Sequence, residues 1–201
     1  MNTQNQRASD PVVGLDASQK QLLLQIAREA LEACVRGEPE PELDLTEPKL
    51  MEPRGCFVTL TLDEELRGCI GYVRPVKPLC RAVAYMACQA ALHDPRFDPV
   101  TPAEAGKLRL EISVLSPMVK LHDPTEVQVG LHGLMIVKGA ASGLLLPQVA
   151  TEHGWDRETF LDQTCVKAGL PTSAWRRGAD IYVFSAEIFG EPAEGPEAFE
   201  A

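Results

Sequence analysis

The sequence predicts an α+β fold built on antiparallel sheets. Two apolar, β-branched-rich runs, 55–62 and 66–73, flank the acidic triplet Asp63-Glu64-Glu65, and this spacing reads as an antiparallel hairpin. Amphipathic helices precede and follow that hairpin, so the first strands do not form a parallel βαβ unit. A further run, Leu108 to Ser116, alternates apolar and polar residues as a half-buried strand does.

The elements follow in order. Residues 1–15 are polar, without an apolar stretch of signal-peptide type, and are expected to be a flexible arm. Leu22, Leu23, Ile26, Ala27, Ala30, Leu31 and Cys34 recur at helical spacing, with Ser18 and Gln21 as an expected capping box and Gly37 as the stop, giving a helix over 18–36. Four prolines interrupt 38–53, which is expected to be an extended connector. After the hairpin, Pro78 opens a helix over 79–92 that ends ahead of Pro95. Thr101-Pro-Ala-Glu104 is expected to form one helical turn, and 108–116 a strand with Leu108, Leu110, Ile112 and Val114 inward. Residues 118–132 read as a connector, 133–138 as a strand, 139–143 as a turn, 144–146 as its partner strand and 147–152 as a short helix. Asp156 is expected to cap a helix over 157–168, stopped by Gly169, and 175–177 to be a connector. The run 180–189 reads as one final strand, and 191–201 as a disordered acidic tail. Residues 16–190 then form a single domain.

Composition narrows the function classes. The chain has 201 residues, 45% hydrophobic and 24% charged, which suits one soluble domain with room for two lobes. No apolar run reaches the roughly 18 residues of a membrane-spanning helix, and a cytoplasmic location is expected. The net charge is −10. It concentrates in 38–53, with six acids against one base, and in 191–201, with four glutamates and no base. The near-neutral remainder is poor support for bulk nucleic-acid binding. A local anion site is a separate matter, because Arg54, Arg67, Arg74, Lys77, Arg81 and Arg96 share one segment. The six cysteines (34, 56, 69, 80, 88, 165) show neither C-x-x-C nor zinc-site spacing with His. They read as free thiols packed as small hydrophobes, and neither a metal nor a cofactor is expected. There is no G-x-S-x-G, phosphate loop or dinucleotide fingerprint.

The chemistry-bearing residues cluster around Leu66-Arg67-Gly68-Cys69-Ile70-Gly71. Strict alternation would place Arg67, Cys69 and Gly71 on one face, so that a guanidinium sits beside a thiol. A nucleophilic cysteine needs such a cation, whereas an inert packed thiol does not. Gly68 and Gly71 weaken a strand, which points either to close backbone approach or to a bulge. Asp94 and Arg96 form a loop ion pair, or else Arg96 faces Cys69. His132 is a structural histidine or a general base. Glu111, on the polar face of its strand, pairs with an arginine or lines a cleft.

Beyond these properties, Leu66–Gly71 resembles the signature of the AMMECR domain family, whose prokaryotic members are called AmmeMemoRadiSam system protein A. Arg54–Leu60, Asp94-Pro-Arg-Phe97, Glu111–Ser116, His132-Gly-Leu134, Ser142–Ala150, Gly154-Trp-Asp156 and Lys167–Pro171 resemble family blocks in the same order, over roughly 18–190. The resemblance implies an antiparallel sheet flanked by helices, a smaller second lobe, and a cleft between the two with the hexapeptide nearby. It implies genomic association with Memo-type and radical SAM proteins, which are then possible partners, but supplies no reaction. Two departures stand out: Gly139-Ala-Ala-Ser-Gly143 lacks the basic residue many relatives carry before Ser-Gly, and His153 occupies a variable position. Two readings follow. One is an enzyme or enzyme subunit acting on a small molecule or nucleobase, with Cys69 and Arg67 catalytic and Gly68, Gly71, Arg96, Asp94, His132 and Glu111 binding substrate. The other is a non-catalytic binding or adaptor module in which the hexapeptide forms a ligand or partner pocket. A homodimer is compatible with either.

Overall fold

A computed structural model describes residues 12–42 and 47–192. Along the chain run α1 (Ala17–Val35), β1 (Cys56–Leu62), β2 (Glu65–Tyr72), α2 (Leu79–Leu92), α3 (Pro102–Ala105), β3 (Arg109–Leu115), β4 (Val119–Leu121), β5 (Gly133–Lys138), β6 (Ala141–Leu145), α4 (Pro147–Glu152), α5 (Arg157–Lys167), β7 (Asp180–Phe184) and β8 (Ala186–Gly190). The fold is α+β. The strands form two four-stranded sheets, β2-β1-β3-β8 and β4-β7-β5-β6, with antiparallel pairings throughout the registered ladders. The described residues divide into two compact units, one of residues 14–42, 47–114 and 188–192, the other of residues 12–13 and 115–187.

In the first of these units α1 buries Leu23, Ile26, Ala27, Ala30 and Leu31, the stripe expected from spacing. Its cap sits two residues earlier than the sequence suggests. Asp16 Oδ1 accepts from Gln19 N at 2.8 Å, and Gln19 Oε1 accepts from Asp16 N at 3.1 Å, so Ser18 already lies in the first turn. Gly37 stops the helix at φ 72°. Helix α2 buries Leu79, Cys80, Ala82, Val83, Ala84, Met86, Ala87, Ala90 and Ala91, which is most of its circumference, because it packs on α1 and on the β1–β2 hairpin at once. The small residues allow both approaches. Beneath it Cys56, Val58, Leu60, Leu110, Ile112 and Val114 are buried.

The hairpin turn is tighter than expected. Asp63 (φ 51°) and Glu64 (φ 67°) are both left-handed, as a two-residue turn matching strand twist requires. The ladder then slips: Thr61 pairs with Leu66 and Leu60 with Gly68, which leaves Arg67 without an opposite residue. This is a β-bulge.

In the second unit Leu134, Ile136, Phe160, Leu161, Cys165, Ile181 and Val183 make a separate core under α5. Asp156 caps α5 as expected, accepting from Thr159 N at 2.8 Å. Three elements differ from the sequence reading. Strand β4 lies within the expected connector and is too short to show alternation. Strand β6 begins at Ala141, so the turn is only Gly139-Ala140. Gly143 is a strand residue paired with Ile136, and it is glycine because a Cβ there would meet Ala168 N at 2.2 Å. The expected strand 180–189 is broken at Ser185, whose N donates to Ser116 Oγ at 2.9 Å and whose O accepts from Ser116 N at 3.0 Å.

At the ends, Val13 and Leu15 are buried, and residues 1–11 of the expected arm lie outside the described residues. Glu191, the first residue of the expected tail, accepts from Arg28 Nε at 3.0 Å and from Leu110 N at 2.9 Å, while residues 193–201 lie outside the described residues. All six cysteines are free. No helix among the described residues is long and apolar enough to cross a membrane.

Candidate functional site

Both glycines of the hexapeptide answer to close approach. A Cβ on Gly68 would lie 2.2 Å from Ala90 O of α2, so the helix backbone seats directly on the strand. A Cβ on Gly71 would lie 2.3 Å from the Phe57 ring and 2.4 Å from Cys56 O. The bulge is adjacent, at Arg67.

Strand β2 is the edge of its sheet, and Cys69 turns its backbone N–H and C=O outward. The loop after α2 meets both. Asp94 Oδ2 accepts from Cys69 N at 2.9 Å, and Arg96 Nη2 donates to Cys69 O at 3.2 Å. Asp94 and Arg96 are themselves locked together, Arg96 Nε to Asp94 Oδ1 at 2.9 Å and Nη2 to Oδ2 at 2.7 Å. This bidentate pair closes the edge as a neighbouring strand would. The Arg96 guanidinium, assisted by the Cys69 and Arg96 N–H groups, holds the Asp94 carboxyl well below the usual range against the opposing effect of burial. Arg96 therefore does lie at Cys69, through the main chain.

Arg67 goes elsewhere. Its Nε donates to Glu104 Oε1 at 3.2 Å and its Nη1 to Asp98 O at 2.8 Å. The bulge removes the strict alternation on which a shared Arg67–Cys69 face depended. Glu104 is lowered to about 2, first by the Thr101 N–H, then by the Thr101 hydroxyl and Arg67. The Thr101–Glu104 capping box thus doubles as the anchor of Arg67.

The sheet face turned from α2 presents a row across three strands. Cys69 pairs with Thr59, and Thr59 with Glu111. Thr59 Oγ1 donates to Cys69 Sγ at 3.3 Å. Cys69 is half-buried and Glu111 is exposed. Beside this row a groove of about 310 Å³ is lined by Thr59, Thr61, Glu64, Arg109, Glu111 and Gly190. Glu111 thus lines a polar groove within this unit. Arg109 flanks it with Nη2 bonded to Glu191 O at 3.1 Å.

His132 belongs to the other unit, where it is buried and its Nδ1 accepts from Gln128 N at 3.2 Å. The structure therefore gathers Cys69, Gly71, Asp94, Arg96 and Glu111 around one edge and face, with Gly68 turned to α2 on the opposite face and Arg67 tied to the flanking loop. Sequence reasoning missed Thr59, Arg109 and the anchoring role of Glu104. Counting back from a turn at Asp63-Glu64 places Thr59 opposite Gly68, and only the bulge moves it opposite Cys69. Among the described residues, no group of three or more His, Cys, Asp or Glu is placed to hold a metal ion.

The AMMECR1 family profile matches residues 24–189. The chain belongs to the AMMECR1 family. AMMECR1 relatives include Protein MK0488 of Methanopyrus kandleri, 42% identical over 193 residues that cover 90% of this chain and 93% of that protein. A protein of Thermococcus gammatolerans is 46% identical over 184 residues, covering 85% and 89%. Among solved structures, the uncharacterized protein PH0010 of Pyrococcus horikoshii is similar with a TM-score of 0.71 and 43% identity, covering 84% of this chain and 89% of that one. The AMMECR1 match includes every residue of the site just described except Gly190 and Glu191.

Proposed function

We propose that this AMMECR1-family chain is a non-catalytic binding module whose hexapeptide strand and open sheet face receive a partner protein. The observation that carries this reading is the commitment of both nearby arginines. Arg67 is spent on Glu104 and Asp98 O, and Arg96 on Asp94 and the Cys69 carbonyl. Both guanidinium groups are committed to the flanking loop and the main chain, and the hydrogen bonds of the motif fix its backbone. Such a strand is a rigid platform. Its face offers hydroxyls from Thr59 and Thr61, carboxylates from Glu64 and Glu111 and the cation of Arg109, a mixed polar surface suited to complementary recognition. The partner classes that the family resemblance suggests are the Memo-type and radical SAM proteins, and the shared compartment would be the cytoplasm.

The test is titration calorimetry of the purified chain against the Memo-type and the radical SAM protein of the same organism. Glu111→Ala is expected to weaken binding about tenfold or more, and Cys69→Ser to change it less than about twofold. Absence of binding to either protein overturns the reading.

One observation favours a thiol-dependent enzyme instead: Cys69 is half-buried rather than enclosed, with the Thr59 hydroxyl on its sulfur. On that reading Cys69→Ser abolishes turnover by the assembled proteins while leaving their association intact.

A further inference from the structure

Two cysteines outside the hexapeptide, one on each helix, sit at the α1–α2 interface. Cys34 Sγ lies 3.2 Å from Leu31 O, and Cys88 Sγ lies 3.3 Å from Ala30 O. Ala30 and Leu31 are consecutive residues of one α1 turn, so both sulfurs sit on neighbouring carbonyls of the same helix. Each thiol shifts the titration of the other, which places the two close together. Both residues are half-buried, unlike the enclosed Cys56, Cys80 and Cys165. Packing alone would be met by alanine, which fills most of this interface.

We infer that Cys34 and Cys88 form a redox-modifiable dithiol that a peroxide converts to a disulfide joining α1 to α2. The assignment of roles follows from this mutual influence. It lowers the Cys34 thiol below its ordinary value and pushes the Cys88 thiol up, so Cys34 supplies the thiolate and Cys88 keeps its proton. The Cys34 thiolate attacks one peroxide oxygen; the O–O bond breaks, an S–O bond forms and hydroxide departs. The Cys88 sulfur then attacks the Cys34 sulfenic sulfur; an S–S bond forms, the S–O bond breaks, and the oxygen leaves as water with the sulfenic hydrogen and the Cys88 thiol proton. The proton that Cys34 released on ionising neutralises the hydroxide of the first step. Two electrons pass from the two sulfurs to one peroxide, which becomes two waters. In a reducing compartment this disulfide would be transient, as sensing disulfides are.

The experiment is treatment of the full chain with hydrogen peroxide, alkylation of the remaining thiols, and mass spectrometry of unreduced digests. The expected product is a single linked pair of peptides carrying Cys34 and Cys88, reversed by dithiothreitol. Cys69, equally half-buried but without a neighbouring thiol, is the internal reference and is expected to remain alkylatable at peroxide levels that link the pair. In Cys88→Ser, Cys34 is expected to stop at sulfenic acid, trapped by dimedone; in Cys34→Ser, Cys88 is expected to stay reduced. The inference is overturned if Cys34 and Cys88 oxidise separately without linking, or no faster than Cys69. Both serine variants are near-isosteric at half-buried positions, and a melting curve for each excludes unfolding as the cause of lost linkage.

Discussion

The carboxylate of Asp94 lies 2.9 Å from the backbone nitrogen of Cys69 and completes the exposed edge of the hexapeptide strand. Its side chain is 2% exposed, while that of Arg96, its ion-pair partner, is 52% exposed. The carboxylate therefore carries most of the desolvation, and the arginine can fall back on water. Removing the acid strands a strand-edge N–H and frees the loop. Asp94→Ala is expected to cost about 2–3 kcal/mol in urea unfolding, the scale of lost hydrogen bonds to a charged, buried group. Cys69→Ser leaves those backbone bonds in place and is expected to cost under about 1 kcal/mol. A urea midpoint for Asp94→Ala equal to the parent value would rule out the edge closure as a stabilising contact.

Glu104 and Asp94 set the acid limb of stability. Both carboxyls titrate lower in the folded chain than in the unfolded one, Glu104 at about 2 against an ordinary 4.5. A depressed carboxyl binds more protons when unfolded, so its contribution is fully present above about pH 4.5 and is lost as the pH falls toward 2. Stability is expected to be flat from neutrality down to about pH 5 and then to decline. Glu104→Gln, with the parent side chain 28% exposed, is expected to remove about 1–2 kcal/mol at pH 7 and only a small fraction of that at pH 2. Equal losses at both pH values would show that Glu104 acts by packing rather than by charge.

Two glycines make a matched pair of tests. Gly68→Ala would bring its Cβ to 2.2 Å from Ala90 O, a backbone atom that cannot step aside without moving α2. A cost of about 3 kcal/mol or more is expected, at the upper end of overpacking. Gly106→Ala meets nothing within 4 Å, at a φ of −72° that alanine adopts freely. It is expected to be neutral or stabilising by about 0.5 kcal/mol through the unfolded chain. Thermal melts of the two variants decide the matter, and a Gly68→Ala protein melting with the parent would remove the close-approach account.

The elements legible in the sequence were those with a local signal. Helices α1, α2 and α5 announce themselves by a repeated apolar stripe or a capping aspartate, and the hairpin by its acidic turn. What stayed hidden depends on partners distant in sequence. Strand β4 has three residues and exists because β7 pairs with it. Gly143 reads as a turn residue, but α5 requires its small size within a strand. The same contrast holds at the site. Cys69, Arg96 and Glu111 were found by residue type, and Thr59 by neither type nor motif. The face of Arg67 was misread because one bulged residue reverses the alternation, and nothing in Leu66-Arg67-Gly68 itself marks the slip.

Thiol accessibility tests the described packing residue by residue. Cys56, Cys80 and Cys165 are buried, whereas Cys34, Cys69 and Cys88 are half-buried. Burial also pushes the Cys56 thiol up to about 12, and the Cys165 thiol up as well. At pH 8 a thiol of that kind is ionised to roughly one part in ten thousand, so enclosure and protonation protect it together. Iodoacetamide on the folded chain is expected to label Cys34 and Cys69 first and Cys88 more slowly, since the neighbouring Cys34 pushes that thiol up. Cys56, Cys80 and Cys165 are expected to label only at the rate of unfolding, and all six in urea. The measurement is peptide mass spectrometry over a time course. If Cys69 labelled no faster than Cys56, its thiol would be enclosed, and neither a thiol-dependent reaction nor its use as an exposure reference would stand. If Cys69 labels well ahead of Cys56, the open sheet face is reachable by a small molecule, as docking on that face requires.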